Sequence, residues 1–321
     1  MNHQQFPVSA VIPIYNCRER LQRHLRSVVT WASQVREIIV VDSGSTDGTL
    51  ELVTEVLSPF GARILHNPPG LYQSWNAGIA IAKEPWCYIS TVEDPINPEG
   101  LTHLLDVAQR HNPDVVISPP EMMNEDGSGP SDRLMPGTTL QKAFTSAGID
   151  ERVLTRTETV MMLCGFIPSG LLGSSASNLY RTLFLQQHPF PTDYGHCGDT
   201  AWGISASPIL NIAFTNKICA RFYCQGNWPL KTPEEHLSLH EKMADLCADS
   251  LAEFSNIDPC ISTLQGWFAF HRKCTWDYWN WIRSEKNRKD HLEKKYEGGI
   301  MGYVPRFLND EIRKILEKKK D

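Results

Sequence analysis

The sequence predicts an α/β protein: a doubly wound, mostly parallel sheet with a helical C-terminal extension. Two observations carry this. Short apolar, β-branched runs alternate with segments of helical period from residue 8 to residue 118, and from residue 233 onward the patterning is helical only. Alternation of that kind implies βαβ units with helices on both faces, which lets the strands be apolar throughout.

The elements follow in order. Residues 8–14 read as a strand, and residues 19–31, with Leu21, Leu25 and Val28 at helical spacing, as a helix. Strands at 37–41, 62–65, 86–90 and 115–118 alternate with helices at 49–57, 74–82 and 98–110. The segment 119–137 is rich in Pro, Gly, Asp, Ser and Met without periodicity and is expected to be a long loop, a candidate lid. Residues 138–228 look like an extension of the first sheet. The domain division expected is 1–230 for the main unit and 231–321 for the helical extension. Within the latter, Trp267, Phe268, Phe270, Trp276, Tyr278, Trp279 and Trp281 suggest a packed or dimerising helix, with a membrane-surface helix as the alternative.

With 321 residues and 41% hydrophobic content the chain can bury a sizeable core. Its formal net charge of −6 argues against nucleic acid as a partner, although residues 271–321 are basic. Nine scattered cysteines without a C-x-x-C pair fit a reduced, cytoplasmic setting. Neither a leader-like start nor an apolar run long enough to span a membrane is visible, so a soluble, unprocessed protein is expected.

In an open parallel sheet ligands sit beyond the carboxyl ends of the strands, which directs attention to three loops. The first strand ends at Tyr15 and Asn16, the second leads into DSGSTDGT (residues 42–49), and the fourth into TVEDP (residues 91–95). Ser45, Thr46 and Asp47 suit helix capping. Asp42, too far from the helix beginning near Thr49 to cap it, is expected to face a ligand. Glu93 and Asp94 are adjacent acids whose repulsion a hard divalent ion would relieve, and exposure to water is the competing reading.

Three strings in this order, VSAVIPIYN (8–16), EIIVVDSGSTDGT (37–49) and GLYQSWNAGI (70–79), followed by the acidic loop, resemble the family 2 glycosyltransferases of the GT-A fold. The third string is similar to members that build bacterial surface polysaccharides. The resemblance covers roughly the first 230 residues. It implies an inverting, metal-dependent transferase that moves one sugar from a nucleotide-diphosphate donor, a UDP-sugar first among them, to a saccharide or glycolipid acceptor, in the cytoplasm or at the inner membrane face. It further implies that Pro13, Tyr15, Asp42, Ser43, Asn76, Thr91 and Val92 contact the donor, and that Glu93 and Asp94 hold Mn2+ or Mg2+. The family's Asp-x-Asp motif is here Thr91-Val92-Glu93, without its first acid. The downstream acidic motif is best matched by GHCGDTAW (195–202), making Asp199 the expected catalytic base, with Gly198 in place of the commoner Glu. Helix N-capping is the competing role for Asp199. A non-catalytic binding protein and a sugar nucleotidyltransferase remain as alternatives.

Other signatures are missing. No Walker A lysine, G-x-G-x-x-G or G-x-S-x-G is present, and His236 and His240 lack the Glu of a zinc protease motif.

Overall fold

The computed structural model describes residues 5–131, 136–165, 171–172, 174–224 and 233–255. The expectations for the aromatic residues 267–281 and for the basic terminus lie outside them.

The strands are β1 (Phe6–Ile14), β2 (Val35–Asp42), β3 (Arg63–His66), β4 (Trp86–Ile89), β5 (Val115–Ile117), β6 (Glu121–Asn124), β7 (Glu151–Val153), β8 (Asn178–Arg181), β9 (Ile212–Thr215) and β10 (Arg221–Cys224). The helices are α1 (Arg18–Trp31), α2 (Thr49–Leu57), α3 (Leu71–Ala80), α4 (Pro98–His111), α5 (Pro136–Ala147), α6 (Arg156–Gly165), α7 (Thr182–Gln187), α8 (Gly198–Ala206) and α9 (Pro233–Ser255). Eight strands form one sheet in the order β3-β2-β1-β4-β8-β5-β9-β7, and β10 pairs with β6 in a small second sheet.

The expected α/β class holds, and the inner strands β1 and β2 are apolar on both faces for the reason expected. Along β1, Val8, Ala10, Ile12 and Ile14 enter one core with α1, α2 and α4, whereas Val11 enters a second core with α3 and α8. Along β2, Ile38 and Val40 join the first and Ile39 and Val41 the second. Helix α3 lies so close to the sheet that a Cβ at Gly78 would come within 2.5 Å of Val11 Cγ1. Helix α4 starts where the sequence signals a start: Pro98 opens it and the Asn97 side chain accepts from the Gly100 amide at 2.6 Å.

The chain departs from expectation in three places. β8 runs antiparallel and inserts between β4 and β5, which consecutive strand–helix repeats alone would have made neighbours. The stretch 119–137 is not wholly a loop, because Glu121–Asn124 finds a parallel partner in β10. Helix α3 begins at Leu71, three residues before the expected Ser74, and so carries Tyr72 in its first turn. Helix α9, the described start of the 231–321 extension, packs Leu239, Met243, Cys247, Leu251 and Phe254 against Val160 and Cys164 of α6 and Ile204 of α8. Among the described residues no helix is long and apolar enough to cross a membrane.

Candidate active site

Strand register brings the three loops to one edge. Ile14 lies opposite Asp42, Asp42 opposite His66, and the Ser90 amide reaches Val11 O, so β1, β2, β3 and β4 end together. Because β8 is antiparallel, its beginning, Asn178 opposite Ile117, joins the same edge.

The loops after β1 and β2 are stitched to each other. The Asn16 amide donates to Ser45 Oγ and the Thr46 amide to Asn16 Oδ1, while Asp47 accepts from the Arg18 and Thr49 amides. The Thr49 hydroxyl above all, and then these amides, hold the Asp47 carboxyl below its ordinary range. Asp42 is buried and accepts from the Gly44 and Ser45 amides, with His66 Nδ1 at 3.6 Å. It therefore shapes the loop from within. Ser43 bonds Ser74 Oγ at 2.6 Å and ties that loop to α3. Pro13 lies within β1, and Tyr15, 51% exposed, presents its ring at the open edge.

Asn76, expected beside the donor, is engaged elsewhere. Its Nδ2 donates to Phe190 O at 2.8 Å and its Oδ1 accepts from the Phe190 amide at 2.9 Å, a two-point clamp between α3 and the chain ahead of α8.

The acidic loop is a tight turn closed by the Asp94 amide on Thr91 O, with Glu93 in the left-handed region at φ 83°. Val92 packs on the core that α1, α2 and α4 share with β1. The Glu93 carboxylate, 11% exposed, accepts from Arg20 Nη1 at 3.2 Å and Arg23 Nη2 at 2.8 Å, and the Arg23 guanidinium also lies over the Tyr223 ring. Asp94 accepts from Thr91 Oγ1 and the Tyr223 amide, and burial pushes its pKa up to about 7. These arrangements do not fit the expected metal role: Glu93 already has two cationic partners, and Asp94 is reluctant to ionise. Among the described residues no three His, Cys, Asp or Glu side chains converge as a metal cluster would require.

Asp199 opens α8. Its Oδ1 accepts from the adjacent Thr200 amide at 2.7 Å, but Cys197 occupies the N-cap position and no side chain caps the helix, so Asp199 does not take the capping role. Behind it stands an aromatic wall: Tyr72 stacks on Phe190 at 5.8 Å, Trp75 meets both, and Tyr180 and Trp202 continue the cluster. Burial pushes the Asp199 pKa up to about 6, with hydrogen bonding from Thr200 and Tyr72 opposing the rise.

Sequence reasoning missed Tyr72, the pair Arg20 and Arg23, and the turn before β8, where the Ser174 and Ser177 hydroxyls and Asn178 Oδ1 are buried without a hydrogen-bond partner among the described residues. Tyr72 lies inside the GLYQSWNAGI string, but nothing in the sequence singled it out from its neighbours.

Residues 9–157 match the Glycosyl transferase family 2 profile. The glycosyltransferase GlyG of Streptococcus pneumoniae is 33% identical over 113 residues, which are 34% of this chain and 38% of that protein. The succinoglycan biosynthesis protein ExoO of Rhizobium meliloti is 26% identical over 121 residues, 37% of this chain and 35% of its own length. The chain thus aligns with little more than a third of these relatives. Among solved structures, Staphylococcus aureus TarS (residues 1–349) superposes with a TM-score of 0.60 at 16% identity, covering 96% of this chain and 85% of that one. TarS in complex with UDP-GlcNAc gives 0.56 at 18% identity over 78% and 71%. At such identities the likeness establishes a shared fold.

Proposed function

With residues 9–157 forming a family 2 glycosyl transferase region, we propose that the chain transfers one sugar, with inversion, from a nucleoside diphosphate donor to a hydroxyl of a saccharide or glycolipid acceptor. UDP-sugars are the first donors to test, and polysaccharide or glycoconjugate synthesis is the proposed setting. The observation that carries the reading is Asp199, a carboxyl group with a pKa of about 6 against an aromatic wall, joined to the strand-end edge through α3.

A base for this chemistry must be ionised at working pH and still accept a proton in the transition state, and a pKa near 6 meets both conditions. As the acceptor oxygen attacks the anomeric carbon, its proton passes to Asp199. On the opposite face the bond from that carbon to the diphosphate oxygen breaks, and the nucleoside diphosphate leaves with the electron pair. Tyr15 offers an exposed ring for the base of the nucleotide, and the loop that Asp42 and Ser43 organise from within borders it. Thr91, through Asp94, keeps the fourth loop in place.

Mn2+ or Mg2+, when bound, would supply charge neutralisation for the diphosphate. Holding it with Glu93 would require displacing Arg20 and Arg23, so no step is assigned to the ion.

The test is UDP release from a panel of UDP-sugars, with and without simple saccharide acceptors. Asp199→Asn is expected to lower turnover about 10²–10⁴-fold, the usual worth of a positioned base, while UDP affinity by calorimetry stays unchanged. Wild-type turnover in this variant would remove Asp199 from the reaction, and UDP binding without release from any donor would favour a binding protein.

A further inference from the structure

Two arginines stand where the acidic loop was expected to hold a metal ion. Helix α1 lies along the loop that follows β4 and is fastened to it at three points. His24 Nε2 lies 3.0 Å from Ser90 Oγ, Arg20 and Arg23 donate to Glu93, and Ser27 Oγ donates to Ile96 O at 2.7 Å. Arg20 and Arg23 are three residues apart and share a face of the helix, whereas Leu21, His24, Leu25 and Val28 are buried. The helix begins at Arg18, directly after the loop that carries Tyr15, and β1 pairs with β4. The two guanidinium groups therefore join the helix leaving the β1 loop to the β4 loop, at the edge where Tyr15 is exposed.

One carboxylate faces two cations there. Glu93 engages Nη1 of Arg20 and Nη2 of Arg23, while each guanidinium carries five N–H donors, and two positive charges against one negative leave the trio positive. Both arginines are about half exposed, and the Tyr223 ring braces Arg23 with its centre 4.9 Å from the guanidinium carbon. The other carboxylates of the edge are turned to loop building. Asp94 accepts from Thr91 Oγ1 and the Tyr223 amide, Asp42 from the Gly44 and Ser45 amides, and Asp47 from the Arg18 and Thr49 amides. A guanidinium is planar, permanently charged and able to meet two phosphate oxygens at once, so a pair of them on one helix face suits a diphosphate.

We propose that Arg20 and Arg23 bind the diphosphate of the donor and serve there in place of a divalent ion, with Glu93 holding them to the loop. The proposal rests on the reading of the chain as a nucleotide-sugar transferase. When the bond between the anomeric carbon and the diphosphate oxygen breaks, its electron pair stays on that oxygen. The negative charge that develops is met by hydrogen bonds from the two guanidinium groups, which keep their protons.

The experiment measures nucleotide binding by calorimetry, once in EDTA and once with Mn2+, for wild type, Arg20→Gln, Arg23→Gln and the double variant. Circular dichroism and melting temperature report whether each variant folds. UDP is the first probe and GDP, CDP and dTDP follow; the matching nucleoside is the control without phosphate. Wild type is expected to bind one of these diphosphates about equally in the two buffers. Each single variant should lose about tenfold in affinity for it, the low end for a hydrogen bond to a charged group, and the double variant more, while the nucleoside binds as in wild type. The single variants carry the test if the double variant does not fold. Three results overturn the inference and leave the transferase reading in place: wild-type binding at least tenfold tighter with Mn2+, unchanged diphosphate affinity in both folded single variants, or equal losses for the nucleoside and its diphosphate. Binding of no diphosphate in either buffer, with no release from any donor, overturns the transferase reading and this inference with it.

Discussion

Replacing Glu93 should reverse the usual ranking of glycine and alanine. Glu93 is the third residue of the 91–94 turn, and its φ of 83° matches the position of a type II turn that ordinarily takes glycine. Holding a side chain there costs about 1–3 kcal/mol. Its carboxylate recovers part of this through Arg20 and Arg23. Those arginines are 52% and 48% exposed, and bridges of that kind are worth about 0.2–1 kcal/mol each. Glu93→Ala removes the bridges and keeps the strained backbone, so it should destabilise by about 1 kcal/mol. Glu93→Gly also removes the bridges but relieves the backbone by at least about 1 kcal/mol. Against that stands about 0.4–1 kcal/mol for the greater freedom of glycine in the unfolded chain. Glycine should therefore equal or exceed alanine, whereas at a position of ordinary φ it would fall below it by about that last amount. Urea denaturation of the three proteins, read as midpoints at constant slope, makes the comparison. A Glu93→Gly protein less stable than Glu93→Ala by more than half a kcal/mol would refute the argument from the turn.

The remaining predictions concern the same edge. Gly198→Ala pushes a methyl group into Tyr72 and Pro191 O and should cost about 1–3 kcal/mol, as overpacking does; a melting temperature equal to wild type would show that the ring has room to move. Asp94, with its pKa raised to about 7, contributes stability that is fully present below about pH 4 and is lost as pH rises through 7. Asp94→Asn should accordingly gain stability relative to wild type between pH 4 and pH 8, and a difference independent of pH would contradict the burial of that carboxyl. Because Glu93 is already neutralised by two guanidinium groups, EDTA should change UDP affinity less than about twofold, whereas a tenfold loss, well over 1 kcal/mol, would show that an ion displaces them.

The strand–helix alternation of residues 8–118, the strand-end position of Asp42 and the start of α2 at Thr49 were all legible in the chain, because each follows from neighbours within a few residues: apolar runs, hydroxyl and glycine turns, helical spacing. The same local signals placed Asp199 at the start of a helix. What they could not convey is which groups from distant segments compete for a side chain. Asn76 reads as a helix-surface amide until the Phe190 backbone, 114 residues away, takes both of its ends. Glu93 reads as a metal ligand until α1 supplies Arg20 and Arg23 from 73 and 70 residues earlier in the chain. β8 inserts between β4 and β5 although strand periodicity carries no information on sheet order, and that insertion brings the 174–178 turn to the site. Sequence determined the elements and the edge at which chemistry would gather. Tertiary packing decided the partners, because hydrogen bonds and ion pairs are made by proximity in space, and it set the protonation of Asp94 and Asp199 by deciding how far each is removed from water.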